Sequence, residues 1–77
     1  MMLAKIYVTL KQGVLDPQGQ AVARALGRLG FSEVKDARIG KYIELQIEAA
    51  DEARLKDMCE KLLANTVIEE YRVEIVK

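Results

Sequence analysis

The sequence predicts an α+β domain, a two-layer sandwich in the order β-α-β-β-α-β. Three observations carry it. The chain opens and closes in residues that alternate apolar and polar, the period of a half-buried strand. Two interior stretches repeat apolar residues at helical spacing instead. A Gly40-Lys41 pair between two extended runs reads as a hairpin turn. At 77 residues the chain makes one domain over 1–77.

Met2 to Lys11 reads as the first strand, with Ala4, Ile6, Val8 and Leu10 on one face and Lys5, Tyr7, Thr9 and Lys11 on the other. The stretch Lys11–Ala21 then changes the period. It holds the only proline and two of the five glycines. Gly13 can take positive φ at no steric cost, and Asp16 before Pro17 is an N-cap followed by a favoured first helical residue. A helix follows to about Leu29, its apolar stripe Val22, Ala25, Leu26 and Leu29. Gly30 is its stop. Gly27 inside it costs roughly 1 kcal/mol against alanine, which implies close packing against another backbone.

Between Phe31 and Gly40 the phase is broken. Val34 opens an extended run, but Ala37 and Ile39 fall on the other face, as on an edge strand or a bulge. Tyr42 to Ala49 alternates cleanly, with Ile43, Leu45 and Ile47 against Glu44, Gln46 and Glu48. Asp51 caps a second helix to about Ala64, its stripe Leu55, Met58, Cys59 and Leu62, with Asn65 as C-terminal cap. Ile68 to Val76 closes the chain, with Tyr71, Val73 and Ile75 on one face. A ferredoxin-like antiparallel sheet with both helices on one face joins these elements. Its other face would carry Lys5, Tyr7, Thr9, Tyr42, Glu44, Gln46, Arg72 and Glu74, either solvated or paired with a second copy.

Composition narrows the function. A chain this short buries a modest core and needs help from disulfides, metals or oligomerisation. Cys59 is the single cysteine and there is no histidine, which rules out an internal disulfide and argues against a self-contained zinc or iron–sulfur site. Oligomerisation remains. Lys plus Arg and Asp plus Glu are both 12, for a formal net charge of zero, so no basic excess points to nucleic acid. An unpaired cysteine and an N-terminus without signal or membrane-span character lead us to expect a cytoplasmic protein off the membrane.

Catalytic patterns fail in turn. Cys59 lies in an apolar helical stripe with no histidine to activate it, and reads as a core thiol. The Gly13–Gly19 loop lacks the GK[ST] ending of a phosphate loop. The sheet strands lack the stacked aromatics and basic signature of an RNA-recognition motif. Glu69 and Glu70 are strand neighbours on opposite faces, not a converging pair. Lys41, a solvated turn lysine by position, is the one residue whose placement would also suit a phosphate. Arg24 and Arg28 share a helix face with Gln20 and read as solvent-facing. No catalytic constellation emerges.

Read together, GVLDPQG (13–19), Gly30-Phe31, GKYIEL (40–45) and MCEKLLAN with VIE and Tyr71 (58–71) closely resemble the PurS family, in one register over nearly the whole chain. This is the small subunit of multi-subunit phosphoribosylformylglycinamidine synthase. Thr66 stands where the family has proline, and Glu70 where it has aspartate. The resemblance implies an ATP- and glutamine-dependent enzyme of purine biosynthesis that makes formylglycinamidine ribonucleotide from formylglycinamide ribonucleotide. In it a glutaminase subunit releases ammonia through a cysteine nucleophile, and a large synthetase subunit activates the amide oxygen with ATP. The small subunit does neither and implies no cofactor. It forms homodimers, sometimes tetramers, and bridges the other two subunits.

On that resemblance Gly13, Val14, Leu15, Asp16, Pro17, Gln18 and Gly19, together with Gly40 and Lys41, are expected to form partner-contact surface, and Tyr7 and Tyr42 a dimer face. Turn geometry alone would explain the glycines and Pro17, whereas no turn rule requires Gln18. The competing reading is a dimeric regulatory module like the ACT domain, which shares the element order and often has an Asp and Pro-Gly in its first loop for a small ligand. DPQG is only a loose match to that loop.

Overall fold

The computed structural model describes residues 2–48 and 51–76. Its elements are β1 (Met2–Leu10), α1 (Pro17–Arg28), β2 (Lys41–Ile47), α2 (Glu52–Met58) with a π-helical turn over Cys59–Leu63, and β3 (Glu69–Val76). The strands form one antiparallel sheet in the order β2-β1-β3. β1 is central, with Ile6 opposite Ile43 on one side and Val73 on the other. The fold is therefore α+β, with a three-stranded sheet and two helices.

The alternation in β1 decides the core. Ala4, Ile6 and Val8 are buried, and Leu55, Cys59 and Ala64 close over them. Ile43, Leu45, Leu63, Tyr71 and Val73 pack around this cluster. Each fully buried Ile, Val or Leu contributes about 1.5–3 kcal/mol relative to exposure. Asp51 caps α2, accepting from the backbone N–H of Ala53 (3.0 Å) and Arg54 (3.2 Å).

Several expectations need correction. The extended run after Phe31 forms no strand, so the expected second strand and the Gly40-Lys41 hairpin are absent. Gly40 lacks the positive φ that turn requires. It instead lies against β1, where an added Cβ would meet the Val8 carbonyl oxygen at 2.3 Å. The α1 stripe is not core: Leu29 is 73% exposed and Val22 39%, and no α1 side chain joins the core cluster. Gly27 has no atom within 4 Å of an added Cβ; the close backbone approach is at Gly19, where such a Cβ would lie 2.3 Å from the Ala37 carbonyl oxygen.

The second helix is also re-phased. The Ala64 N–H bonds the Cys59 carbonyl at 2.8 Å, an i to i+5 bond that inserts an extra residue into the turn. Leu63 consequently packs inward, while Leu62 is 83% exposed and Met58 37%. Asn65 does not adopt the left-handed conformation of a C-terminal cap, since no described non-glycine residue has positive φ. Its side chain accepts from Val67 N–H (3.2 Å) and its carbonyl from Glu69 N–H (2.7 Å), building the turn into β3. Ala49, the expected end of the β2 run, lies outside the described residues.

Candidate functional site

Asp16 joins two parts of the chain that sequence distance separates. Its Oδ1 accepts the Gly19 N–H at 2.9 Å, which caps α1, and its Oδ2 accepts the Ile39 N–H at 2.9 Å. These two backbone donors, Ile39 first, hold the carboxyl below its ordinary value of 3.8, with help from Arg38. The Arg38 guanidinium reaches across to donate to the Leu10 carbonyl and, at 3.4 Å, to the Lys11 carbonyl. Gly13 turns the chain with φ +85°. A shallow hollow of about 320 Å³ forms between the two segments, lined by Gly13 to Asp16, Gln20 and Asp36 to Arg38.

The loop Gly13–Gly19 and the segment through Gly40 thus form one surface at one end of the sheet. Leu15, Pro17 and Gln18 stand exposed on it. Lys41 does not join them. Paired with Val8, it lies on the helix side of the sheet, and its Nζ donates to the Leu63 carbonyl (3.3 Å) and faces Glu69 (3.8 Å). Glu69 also accepts the Asn65 N–H at 2.6 Å, so Lys41 and Glu69 brace the exit of the π turn.

Arg38 and Ala37 are the residues that sequence reasoning missed. The broken alternation around Asp36-Ala37-Arg38 was the available signal. A stretch that keeps neither period yet carries charge is held by side chain–backbone bonds rather than by a ladder.

Tyr7 and Tyr42 do come together on the open face of the sheet, centroids 5.1 Å apart and planes at 37°. The Arg72 guanidinium sits 4.3 Å from the Tyr7 ring centre on the other side. The Tyr42 hydroxyl donates to Glu44 at 2.7 Å, and that bond, more than desolvation, pushes its pKa up to about 12. The row Tyr42–Tyr7–Arg72 therefore crosses all three strands as a cation-topped aromatic strip.

Neither surface is equipped for bond-making. Burial, then Glu60, pushes the Cys59 thiol up from its ordinary value, the wrong direction for a nucleophile. Tyr71, donating to Glu60 at 2.9 Å, is raised to about 12, by burial first and then by that bond. Among the described residues no group of three or more His, Cys, Asp or Glu side chains is placed to hold a metal. No described helix is long and apolar enough to cross a membrane. What the geometry offers is shaped, hydrogen-bonded surface.

Comparison with known proteins decides the family. The family model for PurS, phosphoribosylformylglycinamidine (FGAM) synthase, matches residues 3–77. The chain belongs to the PurS family. It is 58% identical over 78 residues to the phosphoribosylformylglycinamidine synthase subunit PurS of Bacillus subtilis (strain 168), covering 97% of this chain and 93% of that protein. The structure of B. subtilis PurS in a C2 crystal form superposes with a TM-score of 0.93, at 56% identity over all of both chains. A chain of the PurLQS structure from Thermotoga maritima gives a TM-score of 0.82 at 33% identity, covering 99% of each chain. The α1 that stands away from the core and the three-stranded sheet thus occur in a chain whose match to a solved family member extends over its full length.

Proposed function

We propose that this chain is the non-catalytic subunit of phosphoribosylformylglycinamidine synthase, bridging its glutaminase and synthetase subunits in the cytoplasm. The observation that carries this is the family match over residues 3–77, joined to full-length similarity with a chain of a PurLQS structure. The physical rationale is ammonia transfer. Ammonia released into water near neutral pH is mostly protonated and no longer nucleophilic, so the two active sites have to be held together and shielded. A rigid small protein supplies that by positioning alone.

In this reading the joined surface of Gly13 to Gly19 and Gly40 meets the larger subunits, with Leu15 and Gln18 as its exposed side chains. Lys41 contributes by bracing the π turn behind it. The Tyr7–Tyr42 strip is a self-contact that makes a homodimer, or a tetramer when a second interface is engaged. The sheet is read as a ferredoxin-like sheet without its second strand.

The test is reconstitution. With the matching synthetase and glutaminase, amidine formation from glutamine should require this chain, and formation from ammonium salt should not. Equal glutamine-driven rates with and without it would overturn the reading.

A further inference from the structure

Between Lys11 and Gly40 only Gly19 is buried, and no side chain from this stretch enters the core cluster. Apolar burial therefore does not order the 13–19 loop. What holds it is the segment 37–40, tied to β1 and to the loop at successive residues. A Cβ on Gly19 would stand 2.3 Å from the Ala37 carbonyl oxygen, and one on Gly40 2.3 Å from that of Val8. The Ile39 N–H donates to Asp16 Oδ2 at 2.9 Å. The Arg38 guanidinium donates to the Leu10 carbonyl and, at 3.4 Å, to that of Lys11.

Arg38 acts where the sheet ladder ends. β1 pairs with β3 as far as Leu10, but with β2 only as far as Val8. Beyond Val8 a side chain does the work of the missing ladder: a planar guanidinium spans two successive carbonyls. The same Lys11 carbonyl accepts the Val14 N–H at 3.1 Å, the bond that closes the turn at Gly13. Arg38 thus grips the point from which the loop departs, while its neighbour Ile39 grips Asp16 at the loop's far end.

We infer that Arg38 is a positioning residue for assembly: it clasps the segment 37–40 to the end of β1 and so keeps the 13–19 loop in the shape that the partner subunits bind. This rests on the partner-contact reading of that loop and adds what makes the loop competent. A segment with few buried apolar contacts opens readily. When only a fraction of molecules holds the binding shape, apparent affinity falls by that fraction, and ordering the loop on contact has its own cost. Loss of the clasp should therefore weaken assembly and leave the turnover of the assembled enzyme intact, because the clasp acts before the complex forms.

The test titrates the parent chain and Arg38→Met into the matching synthetase and glutaminase, reading glutamine-driven amidine formation. Amide hydrogen exchange is followed on each free chain. For Arg38→Met the half-saturating concentration should rise at least tenfold with the plateau rate unchanged, and the Val14 and Ile39 amides should exchange at least tenfold faster. Arg38→Lys keeps the charge but loses the fork, and should fall between the two. Val73→Ala loosens the core instead and should move neither reading. A rise in half-saturation with loop exchange unchanged would make Arg38 a direct contact and overturn the clasp. Faster exchange with half-saturation unchanged would show that the partners do not need a preformed loop, and overturn it too. An equal shift for Val73→Ala would reduce the effect to overall stability. In all three cases glutamine-driven synthesis still requires the chain, so the subunit reading stands; that reading fails separately if omitting the parent chain costs nothing.

Discussion

The two helices begin alike and end in different environments. Each starts at an aspartate that accepts backbone N–H bonds, Asp16 for α1 and Asp51 for α2, and each has an apolar stripe. α1 also ends in a complete stop: Gly30 at φ +101°, the Gly30 N–H on the Gly27 carbonyl and the Phe31 N–H on the Leu26 carbonyl, the bond pair of a Schellman motif. By local criteria α1 is the better specified of the two. Yet α2 and its π turn deliver Leu55 and Cys59 into the core, and α1 delivers only Gly19 to a buried position. Capping and periodicity determine that a helix forms, while the partner for its stripe is decided elsewhere. In α1 the stripe stays largely outside the core.

The largest break in this comparison should come from its packed side. Ile6→Ala or Leu55→Ala removes a fully buried side chain and should cost about 2–5 kcal/mol, measured by urea unfolding. Leu62→Ala on the same helical segment should stay within about 0.5 kcal/mol at dilutions where the protein is monomeric. Equal effects at Leu55 and Leu62 would contradict the π-turn register.

Within α1, two glycines should move stability in opposite directions. Gly19→Ala forces a methyl into the Ala37 carbonyl and the Asp16 carboxyl, and should cost about 1–3 kcal/mol. Gly27→Ala meets open space and should add about 0.5–1 kcal/mol through helix propensity. Thermal melts of the two variants read the contrast directly.

The smallest effect is expected from the charge on Asp16. Asparagine caps nearly as well as aspartate. Its amide nitrogen cannot accept the Ile39 N–H that Oδ2 accepts, so Asp16→Asn removes one acceptor together with the charge of the carboxylate. Its folded pKa lies below 3.8, so the charge contributes stability above the unfolded value, and that contribution is lost as pH falls through the folded one. The parent should exceed the variant near neutral pH, with the gap closing in acid. A gap that widened on acidification would reverse the assignment.

Much of this was legible from residue order. Strict alternation in 2–10 gave both the buried row Ala4, Ile6, Val8 and the open row Lys5, Tyr7, Thr9, because the period of a strand is two and leaves no choice of face. Both aspartate caps were readable for the same reason: capping acts within one turn. The candidate surface was half legible. GVLDPQG announced itself by composition, and its family resemblance extended along the chain. The other half, Ala37 to Ile39, was not, because it is held by bonds to Asp16, Leu10 and Lys11 at sequence separations above 20.

By itself the sequence determined the start of each helix and the stop of α1, the two faces of the sheet, the buried cysteine and the family to which the chain belongs. Each follows from interactions spanning a few residues or from a pattern continuous along the chain. The tertiary structure alone decided that Gly40 abuts β1 instead of turning a hairpin, that a π turn exchanges Leu63 for Leu62 in the core, and that α1 stands clear of its own sheet. Those outcomes depend on how volumes and unpaired backbone groups are shared between distant segments. A helix of given periodicity presents the same stripe whether the surface that receives it lies in its own chain or in another.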